Sequence, residues 1–291
     1  MKKVTYRAQQ TVAGPAEIMG VGFLTGADVR LRFLPAPVDA GVAFIRTDLP
    51  APVRIPARVE HVTGTRRRTT LGHAPHAIGL VEHVLAALAG LHIDNCLIEV
   101  NAPEPPGLDG SAQGFVDVLR ATGTRLQAGR KAVYMPTSSV LVAHEGATLA
   151  LHPSPRAELR ISYLLDYGPL ASIHRQRHTQ TVTPESFVNE LAATRTFLLE
   201  AEAEAFRRQG LGARTKISDL LVFGDRGLLH NELRYGNEPA RHKVLDLVGD
   251  LSLFGHDLQG HVVAYRSGHP LNVELVRALA RQLSMRQPVA A

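Results

Sequence analysis

Tryptophan is absent from this 291-residue chain, aromatic residues make up 5% of it, and Cys96 is its single cysteine. So few aromatics leave no row of stacking platforms for single-stranded nucleic acid. One cysteine excludes an intrachain disulfide, and because Asp94 to Val100 reads as a strand, Cys96 is expected as a buried structural thiol. No apolar run approaches the roughly 18 residues that a membrane span needs, and the opening residues Met1 to Ala8 lack the apolar core of a signal peptide. A cytoplasmic protein without stable membrane insertion is therefore expected. Two common catalytic signatures are also missing. Gly20-Val21-Gly22 runs into Phe23-Leu24-Thr25-Gly26 without the strand–glycine–helix context of a phosphate loop, so it reads as a turn. Ser111, in Asp109-Gly110-Ser111-Ala112, reads as a helix cap and not as a nucleophile.

What is present describes a globular protein: 45% hydrophobic and 20% charged residues. The length suffices for a sizeable core and for two domains of ordinary size. Formal charge is +5, from 32 basic and 27 acidic residues. That balance suits an anionic ligand, but the cations are scattered apart from Arg66-Arg67-Arg68, which reads as a solvated loop, and no nucleic-acid partner is expected.

Residues 1 to 60 read mainly as strands. Asp28 to Leu34 alternates, Val42 to Ile45 follows, and Pro35, Pro37, Pro50, Pro52 and Pro56 punctuate the run. A helix is predicted over 80–90 with Gly90 as its stop, then a strand at 95–100, a turn-rich stretch, and a helix at 112–122 with Phe115, Val116, Val118 and Leu119 on its apolar side. After the polar segment Gly123 to Arg130 the strand pattern restarts at Ala132. This places a boundary between domains 1–126 and 127–291. The second repeats the plan: strands, a helix at 184–207, a strand at 219–223 and a helix at 238–254. Strand runs with helices between them predict an α+β fold.

The most informative stretch is Arg241 to Asp250, where His242, Asp246 and Asp250 recur every four residues in an otherwise apolar helix and so share one face. Carboxylates buried among Val244, Leu245, Leu247 and Val248 would cost roughly several kcal/mol per charge unless a cation compensates. A divalent metal is the economical cation. The predicted helix at 80–90 offers a third ligand in His83, with Glu82 about 100° round the helix, beside the metal. Two histidines and one carboxylate leave a fourth zinc position open, which is the catalytic pattern. Either fragment alone arises easily by chance. Together, and with a third polar signal in Tyr265 to Asn272, they point to a metal-dependent hydrolase.

These segments resemble the zinc-dependent UDP-3-O-acyl-N-acetylglucosamine deacetylases of lipid A synthesis, the LpxC family. The likeness rests on Val81 to Asn95, Asn101-Ala102-Pro103-Glu104, Leu108 to Ser111, Thr194-Arg195-Thr196-Phe197, Arg241 to Leu251 and Ser267 to Asn272, in family order over almost the whole chain. The resemblance implies two similar two-layer α+β sandwich domains with helices packed between outer sheets and the active site between the domains. It implies Zn2+ held by His83, His242 and Asp246, with Glu82 as general base. It also implies His269 as a charged partner oriented by Asp250, Thr196 as donor to the oxyanion, and Lys243 and Phe197 as substrate contacts. The implied ligand is a UDP-linked acylated amino sugar, and the chain is expected to act as a monomer. Whether His269 or protonated Glu82 delivers the proton to the leaving amine stays open.

Three departures from the family pattern bear on the substrate. Leu24 stands where a His commonly precedes Thr-Gly, Gly212-Ala213-Arg214-Thr215-Lys216 replaces a Gly-Gly-Ser segment near the acyl passage, and Gly168-Pro169 replaces a His-Pro. They leave two alternatives in view: a deacetylase of a related acetylamino sugar, or a non-catalytic sugar-nucleotide or lipid-binding module. Arg207-Arg208 and Arg214-Thr215-Lys216 either point to solvent or narrow the passage that runs from Phe197-Leu198-Leu199 to Val222-Phe223.

Overall fold

A computed structural model describes residues 1–169 and 171–285. The first half runs β1 (Lys2–Val12), β2 (Ala16–Val21), β3 (Asp28–Pro35), β4 (Val42–Arg46), β5 (Arg54–Pro56), the small pair β6 (Val62–Gly64) and β7 (Thr70–Leu71), α1 (Glu82–Gly90), β8 (Cys96–Val100) and α2 (Gln113–Thr122). The second half begins with β9 (Thr124–Met135), β10 (Val140–His144), β11 (Ala147–His152), β12 (Leu159–Leu165) and β13 (Gln176–Thr181). It continues through α3 (Pro184–Glu190), β14 (Phe197–Leu199), α4 (Glu200–Arg208), β15 (Leu221–Gly224), β16 (Gly227–Leu229), α5 (Glu238–Ser252), β17 (Asp257–Leu258), β18 (Gly260–Tyr265) and α6 (His269–Ser284). The fold is α+β.

Each half builds one five-stranded sheet on the same plan. In the first, β2 pairs antiparallel with β3, β8 lies antiparallel beside β3, β4 runs parallel to β8, and β5 closes antiparallel on β4. The order β10-β11-β18-β12-β13 repeats those directions strand for strand. The period-two pattern explains which face is covered. Val29, Leu31 and Phe33 of β3 are buried while Asp28 and Arg30 are exposed. Cys96 is buried at the start of β8, and that burial pushes its thiol up to about 12, as expected of a structural cysteine.

The helices lie inward of these sheets, α2 against β2, α5 against β12 and β13, and α6 against β10 and β11, while α1 packs along α5. Both central helices are buried nearly all round, from Val84 to Leu88 in α1 and from Val244 to Leu251 in α5. Burial on every side is what a helix between layers requires. They meet at Gly249, where a Cβ would stand 2.2 Å from the Glu82 carbonyl oxygen, so only glycine permits this approach. The start of α1 is thereby seated against the C-terminal half of α5.

A third sheet, β1-β9-β17, joins the halves. β9 runs unbroken through positions 126 and 127, antiparallel to β1 and parallel to β17. Arg7 on β1 reinforces the seam by bonding Asp94 at 2.7 Å and Asp257 at 2.5 Å. No helix among the described residues is long and apolar enough to cross a membrane.

Two expectations require correction. The helix predicted over 184–207 is broken: α3 ends at Glu190, and Phe197-Leu198-Leu199 pairs in parallel with Leu221-Val222-Phe223 before α4 begins. Long-range strand pairing here overrides local helix propensity. The strand predicted at 219–223 starts at Leu221, because Ile217–Asp219 forms a turn of 3-10 helix. The polar run after Tyr265 also opens a further helix, α6, that its own pattern did not disclose.

Candidate metal centre

Helix α1 begins at Glu82, two residues after Leu80 turns the chain with a φ of 55°. Its first residues therefore emerge beside the middle of α5, near Asp246 and Gly249. His83 Nε2 stands 3.6 Å and His242 Nε2 3.4 Å from the same Asp246 oxygen, Oδ1. One donor atom from each of the three residues lies within 4.8 Å of the others. His242 Nδ1 bonds the Thr194 carbonyl at 3.0 Å, and a carbonyl can only accept, so Nδ1 carries the proton and Nε2 presents a lone pair to the centre. Burial pushes the His242 pKa down to about 3, opposed by Asp246, and keeps the ring neutral as a ligand must be.

Asp246 supplies the test of whether a cation fits. Its Oδ2 accepts from Lys243 Nζ at 2.5 Å, but Oδ1 is a buried oxygen without a hydrogen-bond partner among the described residues. Leaving such a carboxylate oxygen unpaired costs more than about 1–3 kcal/mol. The two imidazole Nε2 atoms that stand beside this oxygen identify what would complete it. These residues form a group that can hold a metal ion.

Glu82 and His269 face this group from either side. Glu82 is buried, which raises its pKa; its Oε2 accepts the Thr69 N–H at 3.0 Å, and its Oε1 lies 3.8 Å from His269 Nε2. His269, the first residue of α6, places Nε2 3.8 Å from Asp246 as well and Nδ1 2.8 Å from Asp250. Burial opposes charge on this ring, but Asp250 and Glu82 outweigh it and push the pKa up to about 9. Asp250, fully buried, also accepts from Asn272 Nδ2 at 2.9 Å and from Thr69 Oγ1 at 2.6 Å.

Glu82, His83, Thr196, Phe197, Lys243, Asp246 and His269 line a cavity of about 450 Å³. His242 and Asp250 stand behind its wall, the one turned to the metal group and the other holding His269. Lys243 Nζ sits 5.7 Å above the Phe197 ring, close enough for cation–π attraction. A smaller pocket of about 120 Å³ shares Leu80, Thr196 and Leu198 with this cavity and continues along Phe206, Leu211 and Val222.

Two supports carried no sequence signal of their own. Arg195 and Glu238 form a buried pair at 2.8 Å that ties the segment 194–196 to the start of α5. That pair keeps the Thr194 carbonyl on His242 and Thr196 at the cavity. Thr69 is the other; a single threonine in a coil has no periodicity to betray it.

A model of the family described as UDP-3-O-acyl N-acetylglycosamine deacetylase, LpxC, matches residues 9–281. The chain belongs to the LpxC family. Proteins named UDP-3-O-acyl-N-acetylglucosamine deacetylase from Myxococcus xanthus and Nostoc sp. are similar to it. The first is 37% identical over 97% of this chain and 90% of its own length, the second 38% over 93% and 98%. The Chlorobaculum tepidum protein named bifunctional enzyme LpxC/FabZ is 35% identical over 94% of this chain and 64% of its own length.

Two of the three departures from the LpxC pattern, Leu24 and the 212–216 loop, meet at one edge of the site. Arg214 donates to the Gly26 carbonyl at 2.9 Å and pairs with Asp28 at 2.8 Å, while Thr215 Oγ1 donates to the Phe23 carbonyl at 2.9 Å. The altered loop is thus pinned to the turn that carries Leu24. Arg208 faces solvent beside Glu204, whereas Arg207 and Lys216 stand on the wall of the smaller pocket as exposed residues. The cations divide between the two expected positions.

Proposed function

We propose that the chain is a zinc-dependent deacetylase that hydrolyses the acetamide of UDP-3-O-acyl-N-acetylglucosamine in lipid A biosynthesis. The observation that carries this reading is the partnerless Asp246 Oδ1, with His83 and His242 aimed at it and Glu82 and His269 facing the same cavity. Two imidazoles and a carboxylate suit zinc and leave a coordination position for chemistry. Zinc bound there would supply Lewis-acid polarisation of the amide carbonyl and activation of water.

The chain's own residues do the rest. Glu82 takes a proton from the attacking water, within reach of its free oxygen Oε1. Thr196, on the cavity wall, donates to the oxygen that gains negative charge as the carbonyl carbon becomes tetrahedral. His269, charged and held by Asp250, stabilises that charge and stands ready to protonate the departing amine as the C–N bond breaks. Acetate and the free amine are the products. Lys243 and Phe197 contact the substrate, and the smaller apolar pocket takes its acyl chain.

The deciding experiment pairs metal analysis of purified protein with acetate release from UDP-3-O-acyl-N-acetylglucosamine. About one zinc per chain and stoichiometric acetate are expected; release from a different acetylamino sugar, but not from this one, would support the alternative that the pinned loop at 212–216 favours. The repeated strand order also supports reading residues 1–126 and 127–291 as two domains of one plan.

A further inference from the structure

We propose that Thr69 is a positioning residue that sets the aim of both proton-handling groups, Glu82 and His269, in the deacetylase reaction. The inference rests on the function just proposed. Thr69 is wholly buried, and its backbone N–H donates to Glu82 Oε2 at 3.0 Å while its hydroxyl donates to Asp250 Oδ1 at 2.6 Å. One residue outside both central helices therefore holds a carboxylate on each of them. The segment that carries it is itself fixed. Arg67 takes a φ of 61°, and the Thr69 carbonyl accepts from Val81, the residue immediately before α1.

The direction of the hydroxyl proton follows from its partners. Thr69 Oγ1 lies 2.6 Å from Asp250 Oδ1 and 3.3 Å from His269 Nδ1, and an ionised carboxylate can only accept. The hydroxyl proton thus goes to Oδ1, and the His269 Nδ1 proton goes to Oδ2 at 2.8 Å, where Asn272 also donates. Both Asp250 oxygens are engaged, so the carboxylate cannot swing. The imidazole that depends on it keeps Nε2 between Glu82 and Asp246, at 3.8 Å from each. Without the hydroxyl, a buried Oδ1 is left unpaired and the Asp250–His269 pair is free to rotate towards another donor.

A threonine that merely satisfied a buried carboxylate would affect stability and leave the balance of the kinetic constants alone. Thr69→Val preserves the shape and the backbone donor to Glu82 but removes the hydroxyl, and Thr69→Ser restores it. In the metal-loaded full chain, Thr69→Val is expected to lower kcat by about 10- to 100-fold, the usual cost of losing a group that orients a working residue, with KM within about twofold and metal content unchanged. Thr69→Ser should recover most of that loss. The Asp250→Asn change should make the Val substitution nearly silent, because the two act through one bond.

A second measurement is independent of turnover. In metal-free protein the His269 Nδ1 proton, followed by NMR, should move in Thr69→Val and return in Thr69→Ser. If Thr69→Val does not fold, Thr69→Cys, with a weak donor, carries the same expectations. Turnover of Thr69→Val within about twofold of the parent, a Ser variant as impaired as the Val variant, additive losses with Asp250→Asn, or an unmoved Nδ1 proton would each overturn the proposal. If the parent protein releases no acetate at all, the function fails, and the NMR comparison still decides the positioning claim.

Discussion

The two halves of this chain build the same sheet and put it to different use. Strand for strand, β2-β3-β8-β4-β5 and β10-β11-β18-β12-β13 agree in order and direction, and each half sends one helix into its central strand and another out of it. In the first half, the outgoing helix α2 starts at a structural site: its N-cap is Ala112 and not the expected Ser111, whose Oγ accepts the Gln113 N–H at 3.1 Å from one residue further out and donates to Asp109 at 2.7 Å. In the second half the corresponding helix α6 starts with His269, aimed at the metal group. The ingoing helices differ in the same sense. α1 contributes two residues from its first turn, whereas α5 contributes His242, Asp246 and Asp250 along three turns of one face. A repeated scaffold thus surrounds one centre with corresponding helices, and the side chains they carry there differ between the halves.

The sharpest way to break this comparison is to remove metal ligands from one half at a time. His83→Ala and Asp246→Ala should each leave far less than one metal per chain by elemental analysis and reduce acetate release to background. Full metal retention by His83→Ala would assign the centre to the second half alone. The next largest effect is expected for Glu82→Ala, which should keep its metal yet lose on the order of 10²–10⁴ in kcat. Metal lost in step with rate would turn Glu82 into a ligand.

The pH profile separates the halves by sign. In the proposed reaction Glu82 acts ionised, and burial raises its pKa, so the acid limb should sit above the usual carboxylate range. In the same proposal His269 acts charged, and its pKa, pushed up to about 9, places the alkaline limb there instead of near the ordinary 6.5. His269→Gln should remove that alkaline limb. The same raised pKa stabilises the folded chain fully below about pH 6.5, and this contribution is lost as pH rises through about 9.

Gly249→Ala tests the contact that seats the start of α1 against α5. Its Cβ would meet the Glu82 carbonyl, and overpacking of this kind costs about 1–3 kcal/mol, measurable as a lower denaturant midpoint. An unchanged midpoint would mean that α1 and α5 have room to part. Arg214→Ala should do least. Its pair with Asp28 is exposed and is worth no more than about 1 kcal/mol, so kcat/KM across acyl chain lengths should keep its shape.

Most of the centre was legible because it violates the pattern around it. His242, Asp246 and Asp250 break an apolar helix at a fixed spacing, and burial makes such breaks expensive enough to demand a partner. The duplicated order of elements could likewise be followed from strand and helix runs. What escaped depends on contacts distant in sequence. Phe197-Leu198-Leu199 reads as helix until Leu221-Val222-Phe223 is found beside it, and Arg195 gains meaning only from Glu238. Thr69 has no spacing to display, and its two carboxylate partners lie 13 and 181 residues away.

In each five-stranded sheet the central strand is the last to be made, β8 in one and β18 in the other. During synthesis, β3 and β4 wait with a gap between them until Cys96–Val100 arrives, and β11 and β12 wait longer still for Gly260–Tyr265. The nascent chain therefore carries unpaired strand edges that no earlier segment covers, the condition under which neighbouring chains on a polysome add strands to one another. For the second sheet that exposure spans the production of α3 to α5, so slow translation between His152 and Gly260 should lower the yield of folded protein far more than an equal delay after Tyr265.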